Sequence, residues 1–115
     1  MVMDQPQATF RAISDPTRRA ILDLLAGRDL AVKEIVAEFG VSQPAVSKHL
    51  RILRDARLVS ERREGRLRVY RLLPEPLRDV EEWVGSHGVA EPQSIPTLRA
   101  WVDARSARES ARRAA

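Results

Sequence analysis

Cysteine is absent from this 115-residue chain, which removes disulfide frameworks, thiolate metal sites, a cysteine nucleophile and thiol redox switching together. Histidine is scarce, with only His49 and His87. Aromatic residues number five, Phe10, Phe39, Tyr70, Trp83 and Trp101, so the core must be aliphatic. No stretch approaches the roughly 18 apolar residues that a membrane span needs. The first ten residues, MVMDQPQATF, have no apolar run and carry an early acid, unlike a secretory leader. A glycine-rich phosphate loop is also missing. Ser42 and Ser47 lie near His49 in sequence, but Ser42 is better used as a helix cap and His49 as a packed edge residue. The expectation is one soluble, cytoplasmic, non-enzymatic domain without a cofactor, long enough to bury a core unaided by metal or disulfide.

What the chain does have is positive charge in one place. From Ser42 to Leu72 there are nine Lys and Arg against three Asp and Glu, a local balance of +6. The whole chain is only +4, so the remainder sums to −2. A merely soluble domain intersperses both signs, whereas charge gathered on one unit suits a polyanion.

Periodicity divides the chain into helices around that unit. A first helix is predicted over Pro6 to Ser14, with Phe10 and Ile13 as its buried face. Asp15-Pro16 is a start signal, Asp as cap and Pro where its missing N–H is harmless. The second helix then runs to about Ala26 on Ile21, Leu24 and Leu25, and Gly27 stops it. A third covers Val32 to Phe39, and Gly40 ends it. Ser42 caps a fourth helix whose Val46, Leu50 and Leu53 fall at i, i+4 and i+7. Two helices joined through Val41 and Ser42 make a helix-turn-helix. Leu58 to Arg63 and Leu67 to Leu72 are predicted strands around Glu64-Gly65-Arg66. A fifth helix begins near Pro74-Glu75 with Leu77, Val80, Trp83 and Val84. Gly85 to Pro96 reads as a loop. A final helix with Leu98, Trp101 and Val102 trails into an Arg- and Ala-rich end. The domain division expected is 1–86 for DNA binding and dimerisation and 87–115 for a loop and a dimer-associated C-terminal helix.

With Val46, Leu50 and Leu53 facing inward, the fourth helix turns Gln43, Pro44, Ser47, Lys48 and Arg51 outward. Gln pairs bidentately with adenine, Ser reads donor or acceptor, and Lys and Arg favour guanine or phosphate. The hairpin carries Arg62 and Arg63 before its turn and Arg66 and Arg68 after it, with Arg71 beyond. Four arginines around one tip have no packing role and repel one another, and a phosphate track or minor groove explains them.

Three stretches, DPTRRAILDLL, VSQPAVSKHLRILRDARLV and RREGRLRVYRL, resemble the ArsR/SmtB family of bacterial winged helix-turn-helix repressors. The likeness covers about Ala8 to Trp83, with the motifs in the family's order and spacing. It implies a mainly α fold with a two-stranded β-wing, in the order α-α-α-α-β-β-α plus a C-terminal helix. It also implies a homodimer joined through the first and fifth helices that binds an inverted-repeat operator in double-stranded DNA as an autoregulatory repressor. By position, base reading falls on Gln43, Ser47 and Lys48, with Ser42, Pro44 and Arg51 beside them, and wing contacts fall on Arg62, Arg63, Arg66 and Arg68. Phe10, Leu77, Val80, Trp83, Leu98 and Trp101 are the large apolar candidates for the subunit interface.

The chain departs from metal-sensing members of that family. Their cysteine pair corresponds to the neighbourhood of Leu30 to Lys33, which has no thiol. Their fifth-helix site needs paired ligands, and here His87 stands alone with Asp79, Glu81 and Glu82, which suit a solvated helix face. The expectation is no metal site, and an effector that is organic, a protein, or absent. Two readings compete: a winged-helix adaptor that binds protein instead of DNA, and a metal-responsive repressor using His87 with acids of a second subunit.

Overall fold

Two of the helices start at side-chain caps, Asp15 and Ser42. A computed structural model of the chain describes residues 5–86 and Asp103. Helix α1 spans Gln5–Ala12 and α2 spans Pro16–Gly27. Asp15 Oδ2 accepts from the Arg18 backbone N–H at 3.0 Å, satisfying one of the orphan donors at a helix start. That bond, with the charges of Arg18 and His49, holds the Asp15 carboxyl below its ordinary range against the effect of partial burial. Strand β1, Leu30–Ala31, leads into α3, Val32–Glu38, where Glu34 Oε1 reaches back to the Ala31 N–H at 2.9 Å. Helix α4 spans Gln43–Asp55, with the Ser42 hydroxyl accepting from the Ala45 N–H at 3.3 Å. Strands β2, Val59–Glu64, and β3, Leu67–Leu72, precede α5, Glu75–Ser86.

The sheet has three strands, not the two expected, in the order β1-β3-β2 and antiparallel throughout. A two-residue strand shows no alternation, so nothing in the sequence announced β1; it exists because β3 offers it an edge. The hairpin pairs Glu64 with Leu67, leaving Gly65-Arg66 as a two-residue turn. Gly65 has φ +61°, as the first central residue of a type II′ turn requires.

The core lies between the helices and the inner face of this sheet. Ile21, Leu22, Leu25, Ile35, Val46, Leu50, Leu53, Leu58, Leu72 and Leu77 are fully buried in it. On α1 the expected face is corrected: Thr9 and Ala12 point inward, while Phe10 remains 38% exposed. The reason is that α1 lies beside α5, so only its narrow Thr9/Ala12 edge meets the core. Phe10 instead packs edge-on against Trp83, with ring centroids 5.6 Å apart. The 87–115 unit apart from Asp103, with His87, Leu98 and Trp101, lies outside the described residues.

Helix α4 ends in a Schellman motif, with the Leu58 N–H on the Leu53 carbonyl and the Arg57 N–H on the Arg54 carbonyl, each at 2.9 Å. Arg57 takes the left-handed conformation, φ +61°, where glycine is usual. Burying Leu53 and Leu58 together locks the turn despite that strain.

Two stability outcomes follow. Leu50→Ala should cost about 2–5 kcal/mol in urea unfolding, whereas Ser47→Ala on the exposed face of the same helix should stay within about 0.5 kcal/mol. Arg57→Gly should stabilise by about 0.5–1 kcal/mol, because relief of the left-handed strain exceeds glycine's extra unfolded-state entropy; a raised thermal midpoint is the measurement.

Candidate nucleic-acid interface

The inward stripe of α4 decides what the helix shows. With Val46, Leu50 and Leu53 buried, Gln43, Pro44, Ser47, Lys48 and Arg51 are all exposed, as the spacing predicted. Ser42 is exposed too, but its hydroxyl oxygen serves as the cap. His49 sits half-buried on the flank of the helix, where its Nδ1 meets the Arg18 guanidinium at 3.3 Å.

Strand register sorts the wing arginines into two faces. Directly opposed residues share a face, so Arg63 with Arg68 and Glu61 with Tyr70 lie on one side, and Arg62 with Val69 and Ser60 with Arg71 on the other. On that second side Asp29, 11% exposed, accepts from Arg62 Nη1 at 2.9 Å and from Arg71 Nε at 3.2 Å. Arg62 also bonds Glu64 at 3.0 Å. The expectation that all four tip arginines lack a packing role is therefore corrected: Arg62 is committed to Asp29 and Glu64. Asp29 precedes β1, so only the unannounced third strand brings it there.

The first side faces α4. Tyr70 donates to Glu61 Oε2 at 2.6 Å, and Glu61 Oε1 lies 3.7 Å from Arg54. Burial, reinforced by that bond, pushes the Tyr70 hydroxyl up to about 12, so it stays a donor. The one acid on this sheet face is thereby occupied. Arg63 and Arg68 oppose each other across the strands, which costs stability where no anion separates them.

Between the wing and α4 run two adjoining clefts. One, of about 250 Å³, is lined by Val32, Gln43, Ser47, Arg51, Arg54, Arg68 and Tyr70. The other, of about 350 Å³, is lined by Ala31, Val32, Lys33, Gln43, Arg66, Leu67 and Arg68. Neither has an acidic wall. Among the described residues no hydrogen bond or ion pair engages the side chains of Lys33, Lys48, Arg51, Arg63, Arg66 or Arg68. Lys33 is the residue that sequence reasoning missed: it stands apart from the basic segment and reaches the groove because β1 places the start of α3 beside the wing.

The proposed subunit face divides. Leu77 and Val80 are 0% and 2% exposed, packed into the chain's own core, which corrects their assignment to an interface. Trp83 is 46% exposed and, with Phe10, forms an aromatic ridge along α1 and α5. One helical stripe cannot serve both surfaces, and the core takes the i, i+3 and i+7 positions of α5. Among the described residues no group of three or more His, Asp or Glu is placed to hold a metal ion, and no helix is long and apolar enough to cross a membrane.

Known proteins share this arrangement. A family model described as bacterial regulatory protein, arsR family, matches residues 15–61. The transcriptional repressor SdpR of Bacillus subtilis is 45% identical over 75 residues, which span 65% of this chain and 83% of SdpR. The HTH-type transcriptional regulator Rv2034 of Mycobacterium tuberculosis is 49% identical over 69 residues, 60% of this chain and 64% of that protein. Among solved structures, the ArsR family transcriptional regulator RHA00566 superposes with a TM-score of 0.71 at 32% identity, over 74% of this chain and 93% of that one. The homodimeric winged helix-turn-helix DNA-binding domain of Mb0332 from Mycobacterium bovis gives 0.59 at 32% identity, over 75% and 77%. The relatives are regulators and not enzymes, and their fold is the helix-turn-helix and wing described above. This chain belongs to the ArsR family of bacterial regulatory proteins.

Proposed function

We propose that the chain is a transcriptional repressor that binds an inverted-repeat operator as a homodimer and regulates its own gene. The observation that carries this reading is the acid-free groove between α4 and the wing, lined by four cations, Lys33, Arg51, Arg66 and Arg68, that no group among the described residues engages. A protein adaptor would gain nothing from the Arg63–Arg68 opposition, whereas a phosphate backbone removes its cost. Gln43, Ser47 and Lys48 read bases in the major groove. Arg63, Arg66, Arg68 and Lys33 hold phosphates, and Arg62 positions the wing through Asp29. Phe10 and Trp83 supply the exposed apolar surface for a second subunit, and a two-fold axis then sets the two recognition helices about 34 Å apart. Because the chain has no cysteine, thiolate-metal and thiol-oxidation signals have no ligand on it. DNA release is accordingly independent of arsenite and peroxide.

Anisotropy titrations with the upstream intergenic duplex and a scrambled duplex test this. Gln43→Ala and Lys48→Ala should each lose discrimination between the two by about 1–3 kcal/mol; failure to bind either duplex would overturn the reading. The wing should behave differently. Arg63→Ala and Arg68→Ala should each weaken both duplexes and flatten the log affinity against log salt slope by about 0.9. Arg62→Ala, whose guanidinium is already engaged, should leave that slope unchanged.

A further inference from the structure

Arg18 ties three helices together. Its Nε donates to the Ala12 carbonyl at 2.6 Å and its Nη2 to the Arg11 carbonyl at 3.2 Å, both at the C-terminal end of α1. Its Nη1 lies 3.3 Å from His49 Nδ1 on α4. A guanidinium has five N–H donors and no acceptor. Two Arg18 donors are left without a partner among the described residues.

Beside this tie lies a cavity of about 570 Å³, within the roughly 300–1,000 Å³ typical of small-molecule sites. Ala8 and Ala12 of α1 with Ile52 of α4 and Ala56 just after it make its wall aliphatic, and Arg11 and Arg18 bring two cations to it. Arg11 is exposed and its side chain is likewise unengaged among the described residues. Asp55 is the acidic member of the lining. It follows His49 by six residues, about 9 Å along the α4 axis, so it stands away from the Arg18 end. An aliphatic body with one carboxylate matches this arrangement, whereas a second carboxylate would meet Asp55.

We infer that the cavity between α1, α2 and α4 binds a small aliphatic monocarboxylate, which regulates DNA binding by competing for Arg18. The regulatory half rests on the DNA-binding reading above. A carboxylate takes a guanidinium in a bidentate pair of opposite charges, stronger than the single carbonyl and imidazole contacts it displaces. Helix α4 carries the base-reading residues and α1 carries Phe10 of the proposed subunit face. Releasing Arg18 therefore loosens the geometry between the dimer surface and the reading helix, and a ligand that prefers the loosened state shifts the population toward it.

Octanoate is the probe, with octylammonium and octanedioate as controls. Titrated into the full-length ¹⁵N-labelled protein, octanoate should shift the amides of Ala8, Arg11, Ala12 and Ile52 to Ala56, and both controls should bind roughly tenfold more weakly or less. Ala8→Leu, which fills the cavity, should abolish octanoate binding while the spectrum stays folded. Arg11→Gln, a surface change, should weaken it several-fold and serves if Ala8→Leu unfolds. Saturating octanoate should weaken operator binding roughly tenfold, and operator should weaken octanoate binding by the same factor. Shifts scattered over the molecule, equal binding of octylammonium, or full occupancy with unchanged operator affinity would each overturn the inference. If the chain binds no DNA, the function reading falls, and the amide shifts on the free protein still decide the site.

Discussion

Burial of Val46, Leu50 and Leu53 sets the rotation of α4 about its own axis, and the groove follows from it. Each leucine removed from water contributes roughly 1.5–3 kcal/mol, far more than any exposed contact on the opposite face. The polar residues therefore do not choose their direction; they take the directions the core leaves. Gln43, Ser47, Lys48 and Arg51 form one surface because the apolar residues occupy the other. The Schellman turn at Arg57 then sends the chain straight into β2, so the wing starts at a defined angle to the helix.

Strand register does for the wing what the apolar stripe does for α4. Side chains alternate along a strand, so shifting the β2–β3 pairing by one residue would exchange Arg63 with Arg62. Tyr70 and Leu72 on the inner face cannot reach water without losing their burial, which pins that register. The cations then fall into two classes with different partners. Those on the outer face close an ion-pair cluster on Asp29, and those facing α4 have no partner among the described residues. A count of arginines does not distinguish the two.

The helices behind the groove are joined by polar contacts as well as packing. Arg18 caps the carbonyl end of α1 and touches α4 through His49, so the surface proposed for a second subunit and the surface proposed for DNA share one side chain. Where one guanidinium holds two elements by bonds of ordinary strength, a competing anion has a direct means to separate them. The adjoining cavity gives such an anion space.

Element order and type were legible in the sequence, because capping residues and hydrophobic period are local signals: Asp15-Pro16, Ser42 and the Val46, Leu50, Leu53 stripe each act within a turn or two of helix. The outward face of α4 was legible for the same reason, and so was the family. Other features arose only from residues distant in the chain. The two-residue β1 needs β3 as a template, and without it neither Asp29 reaches Arg62 and Arg71 nor Lys33 the groove. Likewise Leu77 and Val80 could have served a subunit interface as well as a core; the packing of α1 beside α5 gave them to the core and left Phe10 and Trp83 outside. Sequence determines which residues seek burial or charge compensation, and tertiary structure decides which partner is near enough to supply it.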